Sequence, residues 1–96
     1  MRYADLQEAL AIFGISERTT IRQIKSRHRE LVKRHHPDSG EDRDHERIRL
    51  INAAYALLIE YLENYRFSFA EDEFYEQNPD ERLRVQFEDV PLWGAR

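Results

Sequence analysis

Three adjacent residues near the middle of the chain have side chains suited to polar chemistry: His36, Pro37 and Asp38. The proline ring fixes a backbone angle, the imidazole offers donors and an acceptor, and the aspartate supplies a carboxylate. Such a rigid turn can present a charge-assisted hydrogen bond to an arginine of another protein. The tripeptide alone also fits a plainer reading, because a proline followed by polar residues is a common way to end a helix.

The residues before this tripeptide predict an amphipathic helix that leads directly into it. One face has apolar and imidazole side chains at helical spacing: Ile21, Ile24, His28, Leu31 and His35. A neighbouring stripe is cationic and consists of Arg22, Lys25, Arg29 and Lys33. Pro37 disfavours helical geometry at the residue before it, so this helix should end at about His35 or His36. We expect the cationic stripe to meet an acidic partner surface, which raises the encounter rate and sets orientation.

Two further helices are predicted on either side of this basic helix. The first covers about residues 4–13, and Gly14 is a plausible left-handed stop after it. Thr20 and Gln23 match a capping box that would begin the basic helix. A third helix is expected from about 45 to 64, after a polar loop of about ten residues. Its apolar stripe comprises Ile48, Ile51, Tyr55, Leu58 and Leu62. The predicted fold class is therefore all-α, with a helical hairpin over 20–35 and 45–64 and a short N-terminal helix.

Residues 66–96 differ from the rest in charge and in aromatic content. They hold eight Asp or Glu against four Lys or Arg, which accounts for the whole net charge of −4, since residues 1–65 sum to zero. Their large apolar residues are Phe67, Phe69, Phe74, Leu83, Phe87, Leu92 and Trp93. Capping-box patterns, Ser68 with Glu71 and Asn78 with Glu81, predict two short helices over about 69–77 and 79–87. We expect a domain over 1–65 and a helical extension over 66–96 that packs on or near it.

The end of this extension has more than one interpretation. Pro91, Leu92 and Trp93 either fold back over exposed residues of the third helix, which we favour, or dock on a further protein. The excess of acids could also lie across the basic helix and lower its availability to a partner.

Composition excludes several other classes. The absence of cysteine rules out disulfides and thiolate metal sites, and the four histidines lack partners at metal-ligand spacing, so no metal or cofactor is expected. No nucleophile motif or phosphate loop suggests an enzyme. No apolar run approaches the roughly 18 residues of a membrane span, and the N-terminal residues do not resemble a signal peptide, so we expect the cytoplasm. The net charge of −4 argues against a nucleic-acid-binding module that uses the basic helix.

Residues from about 4 to 64 resemble the J domain of DnaJ-like co-chaperones. The resemblance is carried by His36-Pro37-Asp38, by Phe13 to Ser16 between the first two helices, and by Ala54, Tyr55 and Leu58 on the helix after the loop. It implies a stand-alone co-chaperone, not an enzyme, that binds a DnaK-type heat-shock chaperone and serves protein folding.

The resemblance also implies roles for particular residues. The loop with His36, Pro37 and Asp38 would trigger ATP hydrolysis in the chaperone, and the basic helix with Arg22, Lys25, Arg29 and Lys33 would bind it. Three positions depart from the usual pattern: Glu30 where a basic residue is frequent, His28 in place of tyrosine, and Ile48 in place of phenylalanine. The alternative left open is a J-like scaffold that has the fold but does not stimulate the ATPase.

Overall fold

The structure is a computed structural model that describes residues 1–35 and 42–89, with the side chains of 42–44 and 89 left out of the description. The described residues form α1 (Tyr3–Phe13), α2 (Ile21–Arg34), α3 (Asp42–Glu63), α4 (Glu71–Gln77) and α5 (Pro79–Asp89). The all-α fold class is confirmed. The chain divides into two compact units, Met1–Tyr65 and Arg66–Arg96. Packing of the second unit on the first stays a prediction.

The turn after α1 is made by a glycine in a conformation that few other residues adopt. Gly14 has φ 67° and ψ 33°, in the left-handed region, and its N–H donates to the Ala11 carbonyl at 3.2 Å. The Ile15 N–H donates to the Leu10 carbonyl at 2.9 Å, which satisfies a second carbonyl of the last helical turn. The predicted helix stop is thus confirmed, and it turns the chain from α1 toward α2.

Both ends of α2 follow the sequence-based prediction. Thr20 Oγ1 accepts the Gln23 N–H at 3.1 Å, and Gln23 Oε1 accepts the Thr20 N–H at 3.0 Å, so the capping box is formed. Such a cap stabilises a helix by about 1 kcal/mol. The helix ends at Arg34, and the His35 N–H makes the last bond, to the Leu31 carbonyl at 3.2 Å.

The core lies between α1, α2 and α3. Its buried side chains are Ala9, Phe13, Ile24, Leu31, Ile51, Ala54 and Leu58. Each of the three helices therefore contributes apolar side chains to the core, but Ile21, part of the apolar face predicted for α2, is 50% exposed and lies outside it. Each buried large aliphatic or aromatic group contributes about 1.5–3 kcal/mol. On α3, Tyr55 and Leu62 are half-buried against this core. α3 begins at Asp42, three residues before the predicted start, so the connection from α2 is shorter than the ten residues expected.

The second unit is a pair of short helices whose predicted caps are wrong. α4 begins at Glu71 with Ala70 as its N-cap and no side-chain cap, while Ser68 Oγ accepts the Ala70 N–H at 3.3 Å. Asn78 donates its side-chain amide back to the Phe74 carbonyl at 2.9 Å, so it closes the end of α4 instead of capping α5 with Glu81. α5 continues to Asp89, two residues beyond the predicted end.

Candidate partner-binding site

The cationic stripe of α2 lies on the solvent side of the helix. Arg22, Lys25, Arg29 and Lys33 are all exposed. The opposite side of the same helix buries Ile24 and Leu31 in the core. Within the described part of the chain none of the four cations is hydrogen-bonded or ion-paired. Their positive charge is therefore not offset by an ion pair with another described side chain.

The only acid on α2, Glu30, is held by two arginines that do not belong to this stripe. Its carboxylate lies 3.3 Å from Arg27 Nη1 and 3.7 Å from Arg34 Nη2. These pairs are largely exposed, so each contributes little to stability. Among the described residues, Glu30 makes no ion pair with a cation of the stripe.

Arg27 has a structural role that the sequence reasoning missed. Its Nε donates to the Phe13 carbonyl at 3.1 Å, which links α2 to the C-terminal end of α1. A cation is favoured there because the last carbonyls of a helix are unsatisfied and carry partial negative charge. A signal was present in the sequence: Arg27 is three residues after Ile24 and four before Leu31, which places it on the packed side of α2.

His28 joins α2 to α3 at the border between the stripe and the core. Its ring stacks on Tyr55 with centroids 3.9 Å apart and an interplanar angle of 5°. Its Nε2 lies 2.9 Å from Asn52 Oδ1, and the Phe13 ring lies 6.3 Å away. His28 therefore packs between α2 and α3 in this structure. Among the described residues no group of three or more His, Cys, Asp or Glu could hold a metal ion.

Replacing His28 by alanine is expected to lower the free energy of unfolding by about 1–3 kcal/mol, since the stacking and the hydrogen bond are each worth about 1 kcal/mol. Urea unfolding followed by circular dichroism measures this loss. A double-mutant cycle with Asn52→Ala separates the two contributions, because only the hydrogen bond couples these residues. A coupling energy of zero between positions 28 and 52 would show that the bond contributes nothing in solution.

Six of the residues singled out in the sequence lie outside the described residues: His36, Pro37, Asp38, Pro91, Leu92 and Trp93. For the first three, the flanking elements are described. α2 ends at Arg34, two residues before His36, and α3 begins at Asp42. Both of these flanking helices contribute to one core. None of the described helices is long and apolar enough to cross a membrane.

Comparison with known proteins bears on this helical unit. Residues 8–64 match the family model of the DnaJ domain, which is more than half of the chain. The match takes in most of α1, all of α2 and α3, and the segment between the latter two. No curated protein and no solved structure matches the chain significantly.

Proposed function

The chain belongs to the DnaJ domain family, and from this premise we propose that it stimulates ATP hydrolysis by a DnaK-type heat-shock chaperone. The family consists of co-chaperones of such chaperones and is in general not enzymatic. We propose that His36, Pro37 and Asp38 act on the chaperone while Arg22, Lys25, Arg29 and Lys33 bind it. The cytoplasm, expected from the sequence, is the compartment proposed for this encounter.

The observation that carries the proposal is the exposed cationic stripe on α2, which makes no ion pair with any side chain that the structure describes. The helix ends two residues before the His-Pro-Asp tripeptide. A one-sided positive surface attracts an acidic partner over several ångströms and aligns it before contact forms. An approach along this face would bring the partner to the end of α2. Helix α2 would thus both attract the partner electrostatically and orient it toward the His-Pro-Asp tripeptide.

The mechanism is allosteric, since the chemistry belongs to the chaperone. A bound protein accelerates hydrolysis only if it binds the hydrolysis-competent state of the chaperone better than the other state, because equal affinity shifts no equilibrium. The carboxylate of Asp38 is suited to this discrimination. It can accept a charge-assisted bond from an arginine that is within reach in one state and not in the other.

Asp38→Asn and His36→Gln test the proposal directly. A charge-assisted hydrogen bond is worth about 1.5–3 kcal/mol, so each variant should lower the stimulated ATPase rate by about ten- to a hundredfold or to the basal rate. The measurement is steady-state ATP hydrolysis by a DnaK-type chaperone at increasing concentrations of the chain. Asp80→Asn makes the same chemical change on α5 and should retain full stimulation.

Circular dichroism must show unchanged helix content for both variants. Lack of stimulation by the wild-type chain would instead favour a J-like scaffold. Binding to duplex DNA that weakens steeply with salt, without any effect on the ATPase, would favour a nucleic-acid module.

A further inference from the structure

A continuous series of polar contacts runs along α2 and ends at the last residue of the helix. Arg27 Nε donates to the Phe13 carbonyl at 3.1 Å, and Arg27 Nη1 lies 3.3 Å from Oε1 of Glu30. The same carboxylate oxygen lies 3.7 Å from Nη2 of Arg34, at which α2 ends. The series therefore begins at a backbone group of α1 and reaches a guanidinium two residues before His36.

The spacing within this series favours one orientation of the Arg34 side chain. Glu30 precedes Arg34 by four residues, which is the order and separation at which an acid and a base on a helix stabilise each other best. Glu30 is in turn held by Arg27, whose bond to the α1 carbonyl fixes its guanidinium. Arg34 therefore has a partner on its own helix, whereas the four cations of the stripe have none among the described side chains.

Arg34 is oriented by this contact without losing its capacity to bind something else. At 3.7 Å the contact with Glu30 is an ion pair and not a hydrogen bond, so it commits none of the five N–H donors of the guanidinium. The side chain is 57% exposed and makes no other ion pair or hydrogen bond within the described part of the chain. The planar fork of a guanidinium matches the two oxygens of a carboxylate.

We propose that Arg34 is a further partner-binding residue and that Glu30 positions it to donate to a carboxylate of the chaperone. The inference rests on the proposed function and extends its binding site along α2 toward the His-Pro-Asp tripeptide. The stripe steers the encounter by its charge, whereas a side chain that is already oriented loses less conformational entropy on binding. Glu30, the only acid on α2, therefore strengthens binding to an acidic surface through Arg34.

The experiment is biolayer interferometry with the immobilised full chain and a DnaK-type chaperone loaded with ATP. Arg34→Lys retains the positive charge but removes the planar fork, so it should weaken binding by at least about tenfold. Arg84→Lys makes the same chemical change on α5, where carboxylate oxygens of Glu81 and Glu88 lie 3.0 and 3.6 Å from the guanidinium, and should leave the affinity unchanged.

A second pair of variants tests the positioning role of Glu30 by the sign of its effect. Glu30→Gln and Ser26→Lys each make the exposed surface of α2 more positive by one charge. Glu30→Gln should weaken binding by about two- to tenfold, the cost of ordering a side chain that is no longer held, whereas Ser26→Lys should not weaken it. In the background of Arg34→Ala, Glu30→Gln should cause no further weakening, because the two residues act through one contact.

Three results would overturn the inference: equal affinities of Arg34→Lys and Arg84→Lys, tighter binding by Glu30→Gln than by the wild-type chain, and a loss of affinity that follows a fall in the urea midpoint. No such fall is expected, since exposed ion pairs contribute little to stability. A wild-type chain that binds the chaperone without stimulating its ATPase would contradict the proposed function alone, because the affinities of the variants still decide the role of Arg34. Absence of binding by the wild-type chain would contradict both.

Discussion

Replacing Lys25 and Arg29 by glutamate should raise the concentration of the chain needed for half-maximal ATPase stimulation by about a hundredfold, because like charges brought together at an interface cost several kcal/mol. Both side chains are exposed and unpaired in the described structure. The reversal should therefore affect the proposed encounter with the chaperone and leave the core intact. The maximal rate at saturation should change much less, since the residues proposed to act on the chaperone are retained.

The matched control for this reversal is Arg2→Glu with Arg47→Glu. Both side chains are exposed; Arg2 lies at the start of α1 and Arg47 on α3. This control changes the net charge by the same amount, at two positions that are not part of the stripe. The difference between the two double variants should shrink as ionic strength rises and the Debye length falls to about 3 Å at 1 M salt. Equal weakening by both pairs would mean that total charge, and not the stripe, governs the encounter.

Phe13→Ala is expected to have the largest effect on stability, a loss of about 3–5 kcal/mol. Phe13 is 1% exposed and is the largest fully buried side chain in the described structure. Its ring lies between α2 and α3, with the Tyr55 centroid at 6.4 Å and that of His28 at 6.3 Å. Small domains have a total stability at the low end of about 5–15 kcal/mol, so this loss should leave a measurable unfolded fraction.

Urea unfolding followed at 222 nm measures the effect. Phe13→Leu, which retains most of the apolar volume, should cost less than about 1.5 kcal/mol. Tyr3→Ala, at an exposed aromatic position on the same helix, should cost almost nothing. If Phe13→Ala unfolds at the same urea concentration as Tyr3→Ala, burial of the Phe13 ring between the helices does not contribute to the stability of the domain. ATPase stimulation should fall together with helix content here, unlike in Asp38→Asn.

The predictions from sequence succeeded where the deciding interactions are local. The glycine at position 14 and the Thr20–Gln23 pair lie within a few residues of the backbone groups that they satisfy. The apolar periodicity of α2 and α3 likewise identified four side chains that the core buries, Ile24, Leu31, Ile51 and Leu58, although it also included Ile21, which is exposed. Helical spacing needs no knowledge of the partner helix, so a single chain segment carries this information.

Local patterns were insufficient where several backbone groups compete for hydrogen bonds to the same side chain. Ser68 and Asn78 both stand at the correct spacing for a capping box, but each makes a bond to a different backbone group. α4 has only seven residues, and such a short helix gains little by itself, so small differences decide where it starts.

The sequence by itself determined the presence of the three helices of the first unit, the glycine stop of α1, the capping box of α2 and the side of α2 that is positive, because all of these depend on spacing along one chain. Only the tertiary structure decided which neighbours those side chains meet. Arg27 donates to a carbonyl of α1, and His28 stacks on Tyr55 of α3. Such contacts join residues far apart in sequence, and no pattern within one helix specifies the height and rotation at which the next one packs against it.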